Sequence, residues 1–263
     1  MNYFHTLESY VSALQSFERV VEVIIRSSTD IVNEASQTLQ INFTAKTVKQ
    51  VRAVLALWHA ECFDECYIIQ RCILDRLFHL KDLNDKQCYD DFDDFSFYKT
   101  FQTYDKIRND PSFSHIKGLL KPTKGESKRF QQLSKSKLKY QRPKAQHVAK
   151  KLELDFLYHQ GYDWASTTVH PMFSDGEQDV RLLLQPSLKV EISQNLDVIH
   201  NSLLYAQLIV NEALVELNLI WRSTINKFMD ALFAFLNGHD VDLTGFADDI
   251  VEQYGKGMQM CKL

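Results

Sequence analysis

Apolar residues recur at spacings of three, four and seven along much of this chain, which is the periodicity of helices that bury one face. The first such stretch covers residues 6–39, and Thr6 stands at its start as an N-cap. A second stretch covers residues 44–81 and, as one helix, would span roughly 55 Å. The pattern therefore predicts two long helices in the first third of the chain.

The pattern in the middle of the chain is interrupted by a proline and by a basic segment. A third helix is predicted to end near Asn109, because Pro111 disfavours helical dihedrals at the residue before it. Residues 112–150 are predicted to form a mobile loop with about one helical turn at most. A helix resumes over residues 145–160, and Gly161 is predicted to end it as the C′ residue.

The C-terminal part of the chain carries the most apolar helical pattern. Residues 162–171 are predicted to form a short helix or turn that Pro171 closes, and residues 172–185 to be irregular. One very long helix is then predicted over residues 186–237, and a short one over residues 244–254.

Composition supports the same class of fold. The chain of 263 residues has only 8 glycines and 5 prolines, too few for the many turns of an all-β protein. We therefore predict an all-α fold, a bundle of long antiparallel helices. Residues 1–263 are expected to form a single helical domain, with residues 112–150 as a basic insert within it.

Positive charge is concentrated in this insert, although the net charge of the chain is −4. Residues 117–151 hold twelve Lys or Arg against one acid, Glu126, with Phe130 and Tyr140 among them. Basic and aromatic side chains together favour nucleic-acid phosphates and bases. The alternative is a solvated loop, or one that docks on the acidic segment 85–94. The candidate nucleic-acid contacts are Lys128, Arg129, Lys135, Lys137, Lys139 and Arg142.

Cysteine usage and hydropathy indicate the compartment. The five cysteines are an odd number without the spacing of a disulfide framework, so we expect reduced thiols in a cytoplasmic protein. The N-terminus lacks the basic and apolar regions of a signal peptide. Polar side chains interrupt the most apolar run, residues 203–221, so it is predicted to be a core helix, and no membrane contact is expected.

One cluster has the side chains of a metal site. His59, Cys62 and Cys66 share one helical face and are ligands that zinc accepts. Cys88 or His79 would have to complete the site, since no CxxC pair is present. A buried cysteine that acts as a small apolar residue is the commoner case. We therefore predict neither a metal nor a cofactor.

The most unusual local feature is a charged trio on the apolar stretch 58–82. Arg71, Asp75 and His79 are spaced four apart, so they share one face of a helix. An exposed Arg71–Asp75 salt bridge would contribute only about 0.2–0.5 kcal/mol. Alternatively, Arg71 faces the bundle interior, Asp75 holds it, and its planar guanidinium binds an anionic group such as phosphate.

A second face combines hydroxyl groups with a histidine. Tyr162, Ser166 and His170 are also spaced four apart, and Pro171 places His170 at a helix end. An imidazole there suits a general acid or base. The alternative is a corner histidine that hydrogen-bonds a backbone carbonyl. A Ser166–His170 nucleophilic pair would lack the glycines of a nucleophile elbow.

These two stretches together resemble a widespread bacterial family of helical domains of unknown function. That family is similar in layout to the HEPN (higher eukaryotes and prokaryotes nucleotide-binding) superfamily. The resemblance covers about residues 50–225 and rests on an Arg-x-x-x-acid motif followed by Tyr-x-x-x-Ser-x-x-x-His-Pro. The residues that match, and that the resemblance implies as candidate catalytic residues, are Arg71, Asp75, Tyr162, Ser166 and His170, with Asp75 where the family usually has Glu.

HEPN proteins are compact helical bundles, often dimeric, and many are metal-independent ribonucleases of toxin–antitoxin or antiphage systems. Their signature is Arg, often a polar residue, then four to six residues and His. The stretch before His170 has Ser166 in place of that Arg. The signature occurs literally from Arg108 to His115, where Arg would stabilise phosphorane-like charge and His would move a proton. Pro111 breaks the helix that the motif normally occupies, so this pair is the weaker alternative.

The resemblance implies an RNA-directed effector of bacterial defence or of a toxin–antitoxin pair. Arg71 would bind phosphate, Asp75 would orient it, and His170 would act as acid or base. The partners implied besides RNA are a second copy of the chain and a protein encoded in the same operon. The alternative is a non-catalytic binding or assembly module, in which a buried Arg–Asp–His network ties the helices together. A small-nucleotide binder is a third interpretation.

Overall fold

Helices form all the regular secondary structure in the part of the chain that the structure, a computed structural model, describes. The described residues are 5–29, 34–116, 118, 120–169, 176–184 and 196–255. The α-helices are α1 (Leu7–Thr29), α2 (Ala35–His59), α3 (Phe63–Lys86), α4 (Tyr89–Asn109), α5 (Lys124–Lys135), α6 (Ala145–Lys151), α7 (Asp155–Leu157), α8 (Trp164–Val169), α9 (Glu177–Leu184), α10 (Asp197–Glu216), α11 (Arg222–Leu236) and α12 (Leu243–Tyr254). A 3₁₀ helix covers Pro111–Ile116, and a π-helix covers Tyr158–Asp163. The predicted all-α fold is confirmed.

The chain divides into two compact units, Met1–Asp82 with Lys144–Leu263, and Leu83–Pro143. In the first unit, α10 lies along α2 and α1 packs against α12. α3 contributes buried side chains such as Ile73 and Leu77 to the same core. Full burial of an aliphatic side chain is worth about 1.5–3 kcal/mol, so these helices assemble through their apolar faces. That residues 1–263 act as a single domain stays a prediction.

Aromatic side chains of α4 hold the second unit together. The rings of Phe101 on α4 and Phe130 on α5 stack with their centroids 4.3 Å apart. Tyr140, which follows α5, is buried, and its ring centroid lies 4.8 Å from that of Phe92. The apolar side of α5 therefore has its partner on α4.

A capping box starts α5. The Thr123 hydroxyl accepts from the backbone N–H of Glu126, and the Glu126 carboxylate accepts from the backbone N–H of Thr123. These bonds satisfy two N–H groups that a helix start leaves without partners. The prediction of a loop over residues 112–150 is therefore wrong for Lys124–Lys135.

The single helix predicted over residues 44–81 is wrong, because the chain turns between α2 and α3. Glu61 adopts a left-handed backbone with a φ of 61°. Its N–H donates to the Trp58 carbonyl. The N–H of Cys62 donates to the Leu57 carbonyl, and the two bonds form a Schellman motif.

Two other predicted helices also break earlier than expected. The one predicted over residues 6–39 is two helices, since α1 ends at Thr29 and α2 begins at Ala35. The one predicted over residues 145–160 stops after α6, where Glu153 is left-handed with a φ of 58°.

The C-terminal predictions are confirmed in part. The long helix predicted to end at residue 237 is two helices, α10 and α11, and its first residues, 186–195, lie outside the described residues. Leu217, Leu219 and Trp221 are buried in the connection, so the apolar pattern continues through a non-helical turn. The described part of the segment predicted to be irregular contains α9. The ends predicted for α4 and α12 agree with the structure.

Within the described ranges, no helix has the length and apolar composition needed to cross a membrane.

Candidate functional site

The face of α3 that carries Arg71 meets the π-helix. The guanidinium carbon of Arg71 lies 4.4 Å from the centroid of the Tyr162 ring. Tyr158, four residues earlier, stacks on Tyr162 with the ring centroids 5.2 Å apart. A guanidinium over an aromatic face is held by the ring quadrupole, and its N–H donors remain at its edge. Arg71 therefore presents these donors beside a stacked pair of tyrosines.

Arg71 is partly buried, yet it makes neither an ion pair nor a hydrogen bond to any residue that the structure describes. Asp75, which was predicted to hold it, acts electrostatically on Arg76 instead. The other partly buried arginines of the described ranges all bond a carboxylate or an amide: Arg19 to Asp248, Arg26 to Glu22, Arg52 to Glu18, Arg76 to Gln50, Arg108 to Asp105 and Arg129 to Asp93. Because a desolvated charge without a partner is costly, Arg71 is suited to an anionic ligand.

A close contact shapes the π-helix. A Cβ at Gly161 would lie 2.6 Å from the hydroxyl oxygen of Tyr205 on α10, and 3.2 Å from Cδ2 of Leu74. Tyr205 is fully buried and cannot easily move away. The prediction that Gly161 ends a helix is therefore wrong, because this glycine lies inside the π-helix and lets it approach α10. π-Helices are rare and are frequent at functional sites.

The polar side chains of this segment bond within it. The Ser166 Oγ donates to the Tyr162 carbonyl oxygen at 2.6 Å, so this hydroxyl is not poised as a nucleophile. The His159 Nδ1 lies 2.8 Å from the Asp163 carboxylate. Burial, together with the Asp163 carboxylate, raises the pKa of Tyr158. Tyr158 therefore keeps its proton at neutral pH and remains a neutral stacking partner.

A cleft of about 430 Å³ opens next to this stack, between α3, the helices on either side of the π-helix, and α10. It is lined by Tyr67, Gln70, Phe156, His159, Trp164, Asp197 and Asn201. The residues Phe156 and Trp164 are 64% and 62% exposed. The sequence analysis missed this cleft. The one signal for it was the density of aromatic residues around Gly161 in residues 156–164.

Comparison with known proteins places the chain in a family but assigns no activity. The model of DUF5677, a family of unknown function, matches residues 38–182. The chain belongs to this family. No curated protein and no solved structure matches it. None of these comparisons supports the HEPN resemblance, which stays a hypothesis.

The DUF5677 match covers all five candidate catalytic residues. The structure brings Arg71 and Tyr162 together, and Ser166 bonds the Tyr162 backbone. His170 lies outside the described residues.

The weaker candidate pair, Arg108 and His115, lies in the second unit. Arg108 donates to the Leu120 carbonyl at 2.8 Å, pairs with Asp105 at 3.0 Å and lies over the Phe101 ring. These contacts occupy its guanidinium. His115 is exposed in the 3₁₀ helix.

Two of the predicted nucleic-acid contacts dock on the acidic side of α4. Arg129 pairs with Asp93 at 2.6 Å and with Asp94 at 2.7 Å. The Lys139 Nζ lies 3.8 Å from the Asp91 carboxylate. For these two side chains the structure shows the alternative of docking on the acidic segment.

The other four predicted contacts, Lys128, Lys135, Lys137 and Arg142, are exposed. At 100° per residue, Lys124, Lys128 and Lys135 lie within about 40° of one another around α5. We call these three the basic stripe. It leaves the side of Phe130 free to pack on α4.

One thiol of the suggested zinc cluster, that of Cys66, is buried in the core. Cys66 is fully buried, and its Sγ donates to the carbonyls of Val54 and Cys62. Burial raises its pKa to about 12, so it stays a protonated thiol rather than a thiolate ligand. Within the described residues, no group of three or more His, Cys, Asp or Glu is placed to hold a metal ion.

Proposed function

We propose that this chain is an RNA-directed effector and that Arg71 receives a phosphate of the RNA. The observation that carries the proposal is the partly buried guanidinium of Arg71, which lies on Tyr162 without an ion-pair or hydrogen-bond partner among the described residues. A phosphate offers several acceptor oxygens to this fork of N–H donors, and bidentate bonds would satisfy the guanidinium.

Two further features favour RNA over an isolated anion. The exposed rings of Phe156 and Trp164 suit unstacked bases, which RNA presents in loops and single strands. In the second unit, taken by itself, the basic stripe exposes a row of ammonium groups that suits a phosphate backbone.

The finer proposal is a metal-independent ribonuclease of bacterial defence or of a toxin–antitoxin pair, acting as a homodimer with an operon-encoded protein partner. The HEPN resemblance supports it. In this proposal Arg71, held over the Tyr162 ring, stabilises negative charge on the phosphate, and His170 transfers a proton.

Fluorescence anisotropy with a labelled single-stranded oligoribonucleotide tests the binding role. Arg71→Ala is expected to weaken the affinity about 10–100-fold, since a hydrogen bond to a charged group contributes about 1.5–3 kcal/mol. Arg222→Ala removes one exposed positive charge outside the cleft and is the control. It should change the affinity less than about threefold. Equal RNA affinities of Arg71→Ala and the wild type would refute the assignment.

Cleavage of the same oligoribonucleotide tests the catalytic role of His170. In His170→Ala, cleavage is expected to fall by about 10²–10⁴-fold, the usual contribution of general acid–base catalysis, while binding persists. The melting temperature is measured in parallel. Unchanged cleavage in folded His170→Ala protein, or no cleavage by the wild type, would contradict the ribonuclease proposal and leave RNA binding to be judged separately.

The second candidate function is the non-catalytic assembly module. It is favoured by the Arg71–Tyr162 contact, which joins α3 to the π-helix. A structural role predicts that Arg71→Ala lowers the free energy of unfolding, whereas a ligand site predicts lost binding with little loss of stability. Urea denaturation of the same variant distinguishes the two functions.

A further inference from the structure

The aromatic cleft beside Arg71 is not needed to bind a phosphate. We propose that it takes one unpaired base of the RNA whose phosphate Arg71 receives, so that the protein engages single-stranded rather than fully paired RNA. This inference rests on the proposed function and adds the substrate class.

The size and lining of the cleft suit a base. Its volume of about 430 Å³ lies within the range of about 300–1,000 Å³ that is typical of small-ligand sites. Tyr67 comes from α3, Phe156 from α7 and Trp164 from α8, so aromatic rings reach the cleft from three helices. Every base has a π-face, and stacking on such rings does not depend on its sequence.

The charged residues that line the cleft favour a base over a phosphate as its ligand. Its lining contains no Lys or Arg among the described residues, whereas Asp197 contributes a carboxylate. The described lining therefore offers a phosphate no Lys or Arg to pair with, whereas a neutral base needs none. The cation that a phosphate needs stands outside the lining, at Arg71, next to Gln70 along α3.

Polar groups of the cleft can reach a base edge. The Asn201 amide is partly buried and has no hydrogen-bond partner among the described residues. An amide offers a donor and an acceptor side by side, the pattern that a base edge complements. Gln70 has a different role, since its Nε2 donates to the Val198 carbonyl at 3.1 Å and ties α3 to α10.

Ring contacts connect the cleft to the phosphate site. His159, in the cleft lining, contacts Tyr158 with the ring centroids 5.4 Å apart. Tyr158 stacks on Tyr162, and the Arg71 guanidinium lies over the Tyr162 ring. The base site and the phosphate site therefore lie on connected side chains of one surface of the first unit.

Trp164 reports directly on the cleft. It is 62% exposed, whereas Trp58 and Trp221 are buried, so a stacked base should quench mainly its fluorescence. With a single-stranded oligoribonucleotide, Trp164→Ala is expected to weaken the affinity about tenfold, and Trp164→Phe, which keeps a ring, less than about threefold. Phe233→Ala removes an exposed ring of α11 outside the cleft and should leave the affinity unchanged.

Two more probes separate this inference from the phosphate site. The wild type should bind an abasic oligonucleotide with the same backbone at least about tenfold more weakly than the base-bearing one, and a fully paired duplex more weakly still. Binding that depends on Arg71 but ignores Trp164→Ala and base removal would overturn the base site and keep the phosphate site.

The absence of any RNA binding would overturn both sites. A change in oligomeric mass in Trp164→Ala by light scattering, without a change in RNA affinity, would assign the rings to a protein interface and also overturn the inference.

Discussion

At the scale of single residues, burial decides what the reactive side chains can do. The donors of Arg71 beside Tyr162 meet no hydrogen-bond partner in the described part of the chain, whereas the thiol of Cys66 is enclosed and bonded to two carbonyls. The spacing along the sequence marked Arg71 and Tyr162 as members of two polar faces, and the structure brings these two side chains into contact. It could not show that Asp75 and Arg71 form no ion pair, because that depends on how neighbouring side chains compete for the same carboxylate.

The cysteines give a test of burial. Cys72 is exposed, whereas Cys66 is fully buried and its pKa is raised to about 12. Because the thiolate is the reactive form, native protein should be alkylated by iodoacetamide at Cys72 at least about tenfold faster than at Cys66. Peptide mass spectrometry measures both rates, and denatured protein is the control. Equal rates in the native state would show that the core around Cys66 opens readily.

His200 is expected to make the free energy of unfolding depend on pH. Its Nδ1 lies 3.0 Å from the Tyr10 hydroxyl. Burial lowers its pKa below the usual 6.5, against a smaller opposing effect of Asp197, and His5 adds to the lowering. The unfolded chain therefore takes up the proton first. The stability that neutral His200 contributes is fully present above pH about 6.5, and it is lost as the pH falls towards the pKa of His200 in the folded protein.

The variant His200→Asn keeps an acceptor near Tyr10 but cannot titrate. Between pH 8 and pH 5.5, its melting temperature should fall less than that of the wild type, because only the wild type loses the contribution of a neutral imidazole. Identical slopes in both proteins would contradict the assigned direction of the pKa shift.

At the scale of elements, helix ends that glycine or proline marks were predictable, and those that other residues make were not. Gly238, with a φ of 87°, follows α11 where the sequence predicted an end. Glu61 and Glu153 occupy the same kind of left-handed position after α2 and α6. Glutamate has no preference for that conformation, so tertiary packing rather than local propensity selects these two ends.

The contact of the π-helix with α10 gives a prediction at this scale. Gly161→Ala should destabilise the protein by about 1–3 kcal/mol, because the new methyl group would overlap the Tyr205 hydroxyl. Tyr205→Phe alone should be neutral or stabilising, since that buried hydroxyl has no hydrogen-bond partner among the described residues. In the Tyr205→Phe background, Gly161→Ala should cost less than half as much.

Urea denaturation of the four proteins of this cycle measures the coupling between the two sites. Gly125→Ala is the control, because a Cβ there has only Thr123 Oγ1 nearby, at 3.9 Å, within α5. The same cost of Gly161→Ala in both backgrounds would contradict the contact.

At the scale of the whole molecule, helical periodicity together with the scarcity of glycine and proline predicted the all-α fold. The helix in the basic insert was not predictable from its own residues, because α5 has few apolar side chains. It folds on the rings of α4, with Phe130 on Phe101 and Arg129 on two aspartates. The aromatic cleft was missed for a similar reason, since Tyr67 on α3 is distant in sequence from Phe156 and Trp164, which it joins in the fold.

The central claim is that Arg71 serves a ligand rather than the fold. The most direct test is the melting temperature of the wild type and of Arg71→Ala, each with and without a saturating single-stranded oligoribonucleotide. The two free proteins should melt within about 2 °C of each other. RNA should raise the melting temperature of the wild type by about 5 °C or more and that of Arg71→Ala by less than half as much, because the variant binds more weakly. A large drop in the melting temperature of free Arg71→Ala, with no response of the wild type to RNA, would make Arg71 a structural residue and contradict the account.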